Sequence, residues 1–150
     1  NLLQDHLMLF FTGFARNASD IAAEQIKNTP RKTSELKTMV GMVGEAIKIL
    51  NSSDTLDDFG RLLHEHWQIK RTLTSQISNP LIDEIYGAGR EAGVIGGKLL
   101  GAGGGGFILF FVKPEHQSRV KEKLKKLLHV PFRFENLGSQ IIYYAPTENF

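Results

Sequence analysis

Eight of the fifteen glycines in this chain fall between Gly93 and Gly106, and four of them, Gly103 to Gly106, are consecutive. Glycine loses more conformational freedom on folding than any other residue, and a plain hairpin turn needs only one or two. Such a stretch lets the backbone approach another group closely and lets several N–H donors converge on an anion. A loose hairpin is the simple alternative, and the flanking residues decide what kind of loop this is. Gly101, Gly103 and Gly106 spell G-x-G-x-x-G. The dinucleotide fingerprint of that form needs a strand before the loop and a helix after it, because the pyrophosphate sits at the helix N-terminus. Here the apolar run Phe107-Ile-Leu-Phe-Phe-Val112 follows, which reads as a strand. A Walker A loop needs Lys-Ser/Thr after its last glycine, and Phe107-Ile108 stands there instead. The loop therefore joins two strands and is neither of these nucleotide sites.

The chain reads as mostly helical before the glycines and mostly strand after them. Leu7-Met-Leu-Phe-Phe11 is apolar throughout and ends at Thr12-Gly13, the pattern of a buried central strand. Asn17 or Ser19 caps a helix from about 18 to 28, stopped by Pro30. Leu36, Met39, Val40, Val43, Ile47 and Leu50 recur at helical spacing and predict one buried stripe. Asp54, with Asp57 three residues on, opens a third helix with Leu56, Phe59, Leu63, Trp67 and Leu73 inward. Asn79-Pro80 is a cap followed by proline at the first helical position, opening a helix with Ile82, Ile85 and Tyr86 inward that closes at Gly93. Val94-Ile95 leads into the strand before the loop. After the second apolar strand, Pro114 starts an amphipathic helix with Val120, Leu124 and Leu127 inward. Strands are then expected at Phe132 to Phe134 and at Ile141 to Tyr144, separated by the turn Asn136-Leu-Gly138. The class is α+β, a four- to five-stranded antiparallel sheet covered by helices.

At 150 residues the chain suits one domain. With 41% hydrophobic and 23% charged residues it is neither disordered nor of low complexity. The absence of cysteine removes disulfide scaffolds, zinc fingers and thiol nucleophiles, and fits a reducing cytoplasm. A net charge of +2 gives no reason to expect a nucleic-acid partner, and no apolar run approaches the roughly 20 residues of a membrane helix. A chain that begins at Asn1 and enters a strand almost at once is expected to be a piece of something longer.

Few side chains outside the loop carry chemistry. Arg16 follows the first strand at a turn, where a planar guanidinium can hold a phosphate bidentately; a surface arginine is the competing reading. Lys70 and Arg71 are neighbours on a helix and point roughly 100° apart, so at most one faces a site easily, and a solvated helix face is the competing reading. Lys98, just ahead of the loop, is either a charge near a bound anion or an exposed strand lysine. His64 and His66 are two apart and do not have the spacing of a helical metal pair. Trp67 fits the apolar stripe and reads as core. The basic run Arg119, Lys121, Lys123, Lys125 and Lys126 reads as a solvated helix face.

Gly97-Lys-Leu-Leu-Gly-Ala-Gly-Gly-Gly-Gly106 resembles the third conserved motif of the GHMP kinases, which include galactokinase, homoserine kinase, mevalonate kinase and phosphomevalonate kinase. Phe11-Thr-Gly-Phe-Ala-Arg16, with Ala18-Ser19-Asp20 and Gln25, is similar to the T-G-x-x-R strand end that opens the C-terminal half of these enzymes. His66-Trp67, Lys70-Arg71, Leu73, Ile77-Ser78-Asn79, Ile82-Asp83 and Tyr86 resemble the subfamily of D-glycero-D-manno-heptose 7-phosphate kinases. Leu100 stands where many members carry Ser or Thr. The P-x-x-x-G-[LI]-[GS]-S-[SA] phosphate loop and the acidic catalytic base of the family's N-terminal half have no counterpart in this sequence.

The resemblance implies a ferredoxin-like plait variant and an ATP- and Mg²⁺-dependent phosphoryl transfer to a small sugar phosphate. It also implies an N-terminal kinase domain as partner, without which this chain is expected to be inactive. The same resemblance implies that Lys98, Gly101, Ala102, Gly103, Gly104, Gly105 and Gly106 form a phosphate and substrate loop, and that Thr12, Gly13, Arg16, Lys70 and Arg71 bind substrate. A free-standing α+β ligand-binding or regulatory module is the reading from another class. An RNA-binding sheet is disfavoured because Phe107, Phe110 and Phe111 lie in a run that reads as buried.

Overall fold

A computed structural model describes residues 2–14, 17–52 and 55–143. A short helix α1 (Leu2–Asp5) precedes β1 (Leu7–Phe11). Four helices follow: α2 (Ala18–Asn28), α3 (Thr33–Asn51), α4 (Asp57–Arg71) and α5 (Pro80–Glu91). Then come β2 (Val94–Leu99), β3 (Phe107–Val112), α6 (Gln117–Lys123) and β4 (Leu128–Val130). The strands form one antiparallel sheet in the order β2-β3-β1-β4. With helices between β1 and β2 and between β3 and β4, this is the ferredoxin-like plait, enlarged by the extra helices of its first crossover.

The local signals act as expected at most element ends. Asn17 caps α2 by accepting from Ser19 N–H (3.1 Å), and Asn79 caps α5 by accepting from Ile82 N–H (3.0 Å) ahead of Pro80. Asp57 is the first residue of α4 rather than a cap partner, and pairs with Lys113 at 2.7 Å. Asp54 lies outside the described residues.

The sheet is apolar on both faces where it is thickest. Met8 and Phe10 of β1, Ile108, Phe110 and Val112 of β3, and Leu99 of β2 are buried in one cluster with Ile21, Trp67, Ile82, Ile85, Tyr86, Val120 and Leu124 from four helices. Phe111 is buried outside that cluster, beneath Phe59 and His6. Helix α4 serves both regions, with Phe59 and Gly60 against Phe111 and Trp67 in the main cluster. Its close approach to the sheet depends on glycine: a Cβ on Gly96 would stand 1.8 Å from the Gly60 carbonyl oxygen.

Expectations for two strands, for the extent of α6 and for α3 need correction. Phe132 to Phe134 is not a strand; Phe132 and Phe134 pack ring to ring at 6.0 Å, and Phe134 N–H donates to Gln4 Oε1. Ile141, Ile142 and Tyr143 form no strand either and are at least 83% exposed, while Tyr144 lies outside the described residues. The fourth strand is instead Leu128–Val130, which pairs with the open edge of β1. The apolar spacing of Val120, Leu124 and Leu127 reads as one helix, yet α6 ends at Lys123 and the chain turns back at once to reach that edge. The third correction concerns α3. It buries Met42, but Val40, Val43, Ile47 and Leu50 stay exposed because α4 covers only one side of it among the described residues.

Gly96→Ala is expected to destabilise the chain by at least the roughly 1–3 kcal/mol of an overpacked core, since the clash is with backbone and no rotamer relieves it. Thermal or urea unfolding measures this directly. An unchanged midpoint would mean that α4 can lift off β2 freely.

Candidate functional site

The hairpin between β2 and β3 closes where Leu100 N–H donates to Phe107 O (2.8 Å). Inside it, Gly101, Gly103, Gly104 and Gly106 all take positive φ, a region that residues with a Cβ rarely adopt. Two positions are also closed by space. A Cβ on Gly103 would meet Ile77 Cα at 2.7 Å, and one on Gly105 would meet the Phe14 ring at 2.8 Å.

Four of the six loop carbonyls are captured by side chains from four different elements. Lys70 Nζ, at the end of α4, donates to Gly101 O at 2.6 Å. Gln25 Nε2, on α2, donates to Ala102 O at 2.6 Å. Asn79 Nδ2, at the cap of α5, donates to Gly104 O at 3.3 Å. Thr12 Oγ1, at the end of β1, donates to Gly106 O at 2.9 Å and also accepts from Gly106 N–H. The backbone of the neighbouring loops completes the frame, with Gly104 N–H donating to Ile77 O and Gly106 N–H to Phe14 O.

In a trans peptide the C=O of one residue and the N–H of the next point in opposite directions. Tying back the carbonyls of Gly101, Ala102 and Gly104 therefore turns the N–H groups of Ala102, Gly103 and Gly105 the other way. Those three, with Gly101 N–H, have no hydrogen-bond partner among the described residues. The loop thus carries four N–H groups and two carbonyls, Gly103 O and Gly105 O, without a partner among the described residues, an excess of donors that favours an anion. Gly101 is exposed, while Gly103, Gly104 and Gly105 are buried.

The other residues singled out by sequence are divided by the fold. Thr12 is buried and its hydroxyl is committed to the loop; Gly13 sits on the exposed turn at φ 89°. Arg16 lies outside the described residues. Lys70 is turned into the protein, whereas Arg71 points into a polar cleft of about 500 Å³ with Gln68, Ser75, Ser78, Asn79 and Asp83. There Arg71 pairs with Asp83 at 2.8 Å, and Asp83 also accepts from Ser78 Oγ at 2.6 Å. Asn79 belongs to both regions, so the cleft adjoins the loop. Lys98 points away from that cleft, into a smaller cavity of about 180 Å³ between α3 and α4 with Met42, Leu62 and His66.

Sequence reasoning read Asn79 as a cap and within a resemblance, and met Gln25 only inside a resemblance, without seeing that either holds the loop. An amide side chain both accepts and donates, so Asn79 can cap α5 and hold Gly104 at once, which an aspartate could not. His66 is a further group that sequence did not assign. Among the described residues its Nδ1 is buried without a partner, and burial, reinforced by the charges of Lys98 and Lys70, holds its pKa down to about 4. Burial and the like charge of Lys98 bring Lys70 down to about 8, and burial lowers Lys98 as well. Beneath the loop lies a group of basic side chains with no carboxylate partner among the described residues.

His66 gives a pH dependence of definite sign. Its folded pKa is below its ordinary value, so between about 4 and 6.5 the unfolded chain takes up a proton that the folded chain does not. Stability is expected to fall as pH drops through that window, and His66→Leu to flatten that part of the profile in urea unfolding. Parallel profiles for the two proteins would contradict the assignment.

Among the described residues no helix is long and apolar enough to cross a membrane, and no three His, Asp or Glu side chains gather as a metal-binding group. Comparison with known proteins agrees with the glycine loop. The chain is 32% identical over 127 residues to D-glycero-alpha-D-manno-heptose 7-phosphate kinase of Campylobacter jejuni, covering 83% of this chain and 37% of that protein. It is 31% identical over 106 residues to mevalonate kinase of Methanocaldococcus jannaschii, covering 64% of this chain and 33% of that protein. The crystal structure of L. major mevalonate kinase in complex with R-mevalonate superposes with a TM-score of 0.70 at 19% identity, over 82% of this chain and 40% of that one, and shares its fold. The chain spans well under half the length of each of these relatives. The profile of the family described as GHMP kinases C terminal matches residues 45–130, from within α3 to the end of β4. With more than half the chain matched, and the glycine loop at the centre of the match, this protein belongs to the GHMP kinases and forms their C-terminal domain.

Proposed function

We propose that this chain is the C-terminal, substrate-side half of an ATP-dependent small-molecule kinase, and that it acts with an N-terminal half carrying the nucleotide loop and the catalytic base. The acceptor is a hydroxyl of a phosphorylated sugar. Similarity to the Campylobacter jejuni enzyme favours D-glycero-D-manno-heptose 7-phosphate. The observation that carries the reading is the set of N–H groups at Gly101, Ala102, Gly103 and Gly105 without a partner among the described residues, the last three oriented by the captured carbonyls of their own peptides.

Phosphoryl transfer depends on positioning and on neutralising charge over the transferred group, rather than on covalent help from the protein. A preorganised set of backbone donors meets that need, because no dipole has to reorient as negative charge develops. The phosphates of ATP and of a sugar phosphate fit this donor row. A Mg²⁺ ion does not fit this half by itself, since the described residues gather no carboxylate group, and it is assigned to the other half with the nucleotide. Within the described residues Arg71, in the polar cleft beside Asn79, is the cation placed to meet the acceptor's own phosphate in exchange for Asp83. Arg16 is the second candidate. Lys70 and Thr12 act on the loop, and Gly13 leaves the turn open.

The test is a phosphotransfer screen of the intact kinase over heptose, hexose and mevalonate-type acceptors. Transfer to the heptose phosphate is expected to dominate, and Gly104→Val, which forces a β-branched residue to φ 76°, is expected to cut turnover at least tenfold with the fold retained. Unchanged turnover in that variant would reduce the loop to a connection. The 150-residue chain alone is expected to bind ATP weakly and hydrolyse none; tight stoichiometric binding in calorimetry would contradict the division between halves.

A further inference from the structure

Of the four side chains that capture loop carbonyls, three are neutral and one, Lys70, carries a charge. Its position is an unfavourable one for an ammonium group. The residue is 9% exposed, Nζ lies 2.6 Å from Gly101 O and 3.5 Å from Leu99 O, and among the described residues it has no carboxylate partner. Burying an unpaired cation opposes folding, and a methionine of the same length would fill this space at lower cost. What methionine could not do is hold two carbonyls on the α4 side of the chain. Fixing Leu99 O and Gly101 O there sets the path of the backbone into the glycines, and it turns Ala102 N–H outward through the planar peptide it shares with Gly101 O. A cation on the carbonyl end of a peptide also polarises its N–H, which strengthens the donor on the opposite side.

We propose that Lys70 is a positioning residue for phosphoryl recognition: its ammonium group holds the Gly101 carbonyl so that the Ala102 N–H is aimed, and strengthened, toward a bound phosphate. The identity of that phosphate rests on the kinase reading above, whereas the coupling between Lys70 and Ala102 does not. In this proposal Lys70 acts on the phosphate through Ala102, whereas the resemblance implies direct contact with substrate. The burial that lowers its pKa is the same burial that gives the charge its effect on the loop, because little water lies between them.

The chain contains no cysteine, which permits a chemical rescue. Lys70→Cys, alkylated in denaturant with 2-bromoethylamine and refolded, regains an ammonium group on a side chain of lysine length; alkylation with 1-bromopropane gives a neutral side chain of similar length. Amide hydrogen exchange and the ¹⁵N shift of Ala102 are read in both, with Lys70→Met and Lys70→Gln as genetic counterparts and Leu73→Ala as a control for general loss of stability. The neutral forms are expected to move the Ala102 shift and to slow its base-catalysed exchange severalfold, because the unpaired N–H loses the cation that polarises it; the aminoethyl form is expected to restore both, and Leu73→Ala to leave the shift in place. In the intact kinase, Lys70→Met is expected to lower kcat about tenfold or more with KM for the acceptor little changed. An Ala102 amide indifferent to the charge at position 70, or one disturbed equally by both alkylations, overturns the proposal. If Ala102 responds as stated but the intact wild-type protein transfers phosphate to no acceptor, the kinase reading fails and the role of Lys70 stands.

Discussion

The structure depends on the capture of glycine-loop carbonyls by donors from elements far apart in sequence. A run with this many glycines has a large conformational entropy to lose, and nothing within the run can fix it. Thr12 reaches it from 94 positions away, Gln25 from 77, Lys70 from 31 and Asn79 from 25. Each of these residues sits at or near the end of an element whose own position is set by the core. The order of the loop is therefore borrowed from the packing of β1, α2, α4 and α5. Four of the six carbonyls are captured but only two of the six N–H groups, so among the described residues the unpaired groups are mainly donors, and that asymmetry gives the site its preference for negative charge.

The same arrangement accounts for the electrostatics beneath the loop. Burial lowers the pKa of Lys70, Lys98 and His66; the charge of Lys98 lowers Lys70 and His66 further, and that of Lys70 adds to the effect on His66. No carboxylate among the described residues relieves them, although Asp83 stands only a short way off on Arg71. The fold thus keeps its acid on the arginine of the polar cleft and leaves the lysines behind the loop uncompensated. A site for phosphates benefits from that separation, because a carboxylate beside the donor row would compete with the ligand for it.

Much of the framework was legible because it rests on local chemistry. Leu7 to Phe11 and Phe107 to Val112 are apolar runs of strand length, Asn17 and Asn79 are caps, and Pro80 marks the first turn of a helix; each acts as its pattern predicts. The errors fall where a pattern shows that a residue seeks cover without showing what covers it. Val40, Val43, Ile47 and Leu50 have the spacing of a buried stripe but stay largely exposed, because among the described residues α4 covers α3 mainly along its Met42 side. Leu127 fits the helical spacing of Val120 and Leu124, yet the helix stops before it and Leu128 to Val130 form a strand on the open edge of β1. Phe132 and Phe134 alternate like a strand and satisfy each other instead. For the site, the glycines were evident from composition and spacing, whereas the direction of Lys70 was not. Adjacent helix positions differ by a rotation of the helix, and nothing in Lys70-Arg71 says which of the two faces inward.

The amino-acid order determined the kind of loop this chain contains, since glycine density, the strand after it and the missing Lys-Ser/Thr are properties of consecutive residues. It determined the positions of the caps and of the two longest strands for the same reason. Tertiary structure decided which way the loop's peptides point, which lysine is buried and which arginine faces the polar cleft. Those are questions of orientation, and an orientation is fixed only when side chains from separate elements meet in space, as Thr12, Gln25, Lys70 and Asn79 do around six residues of backbone.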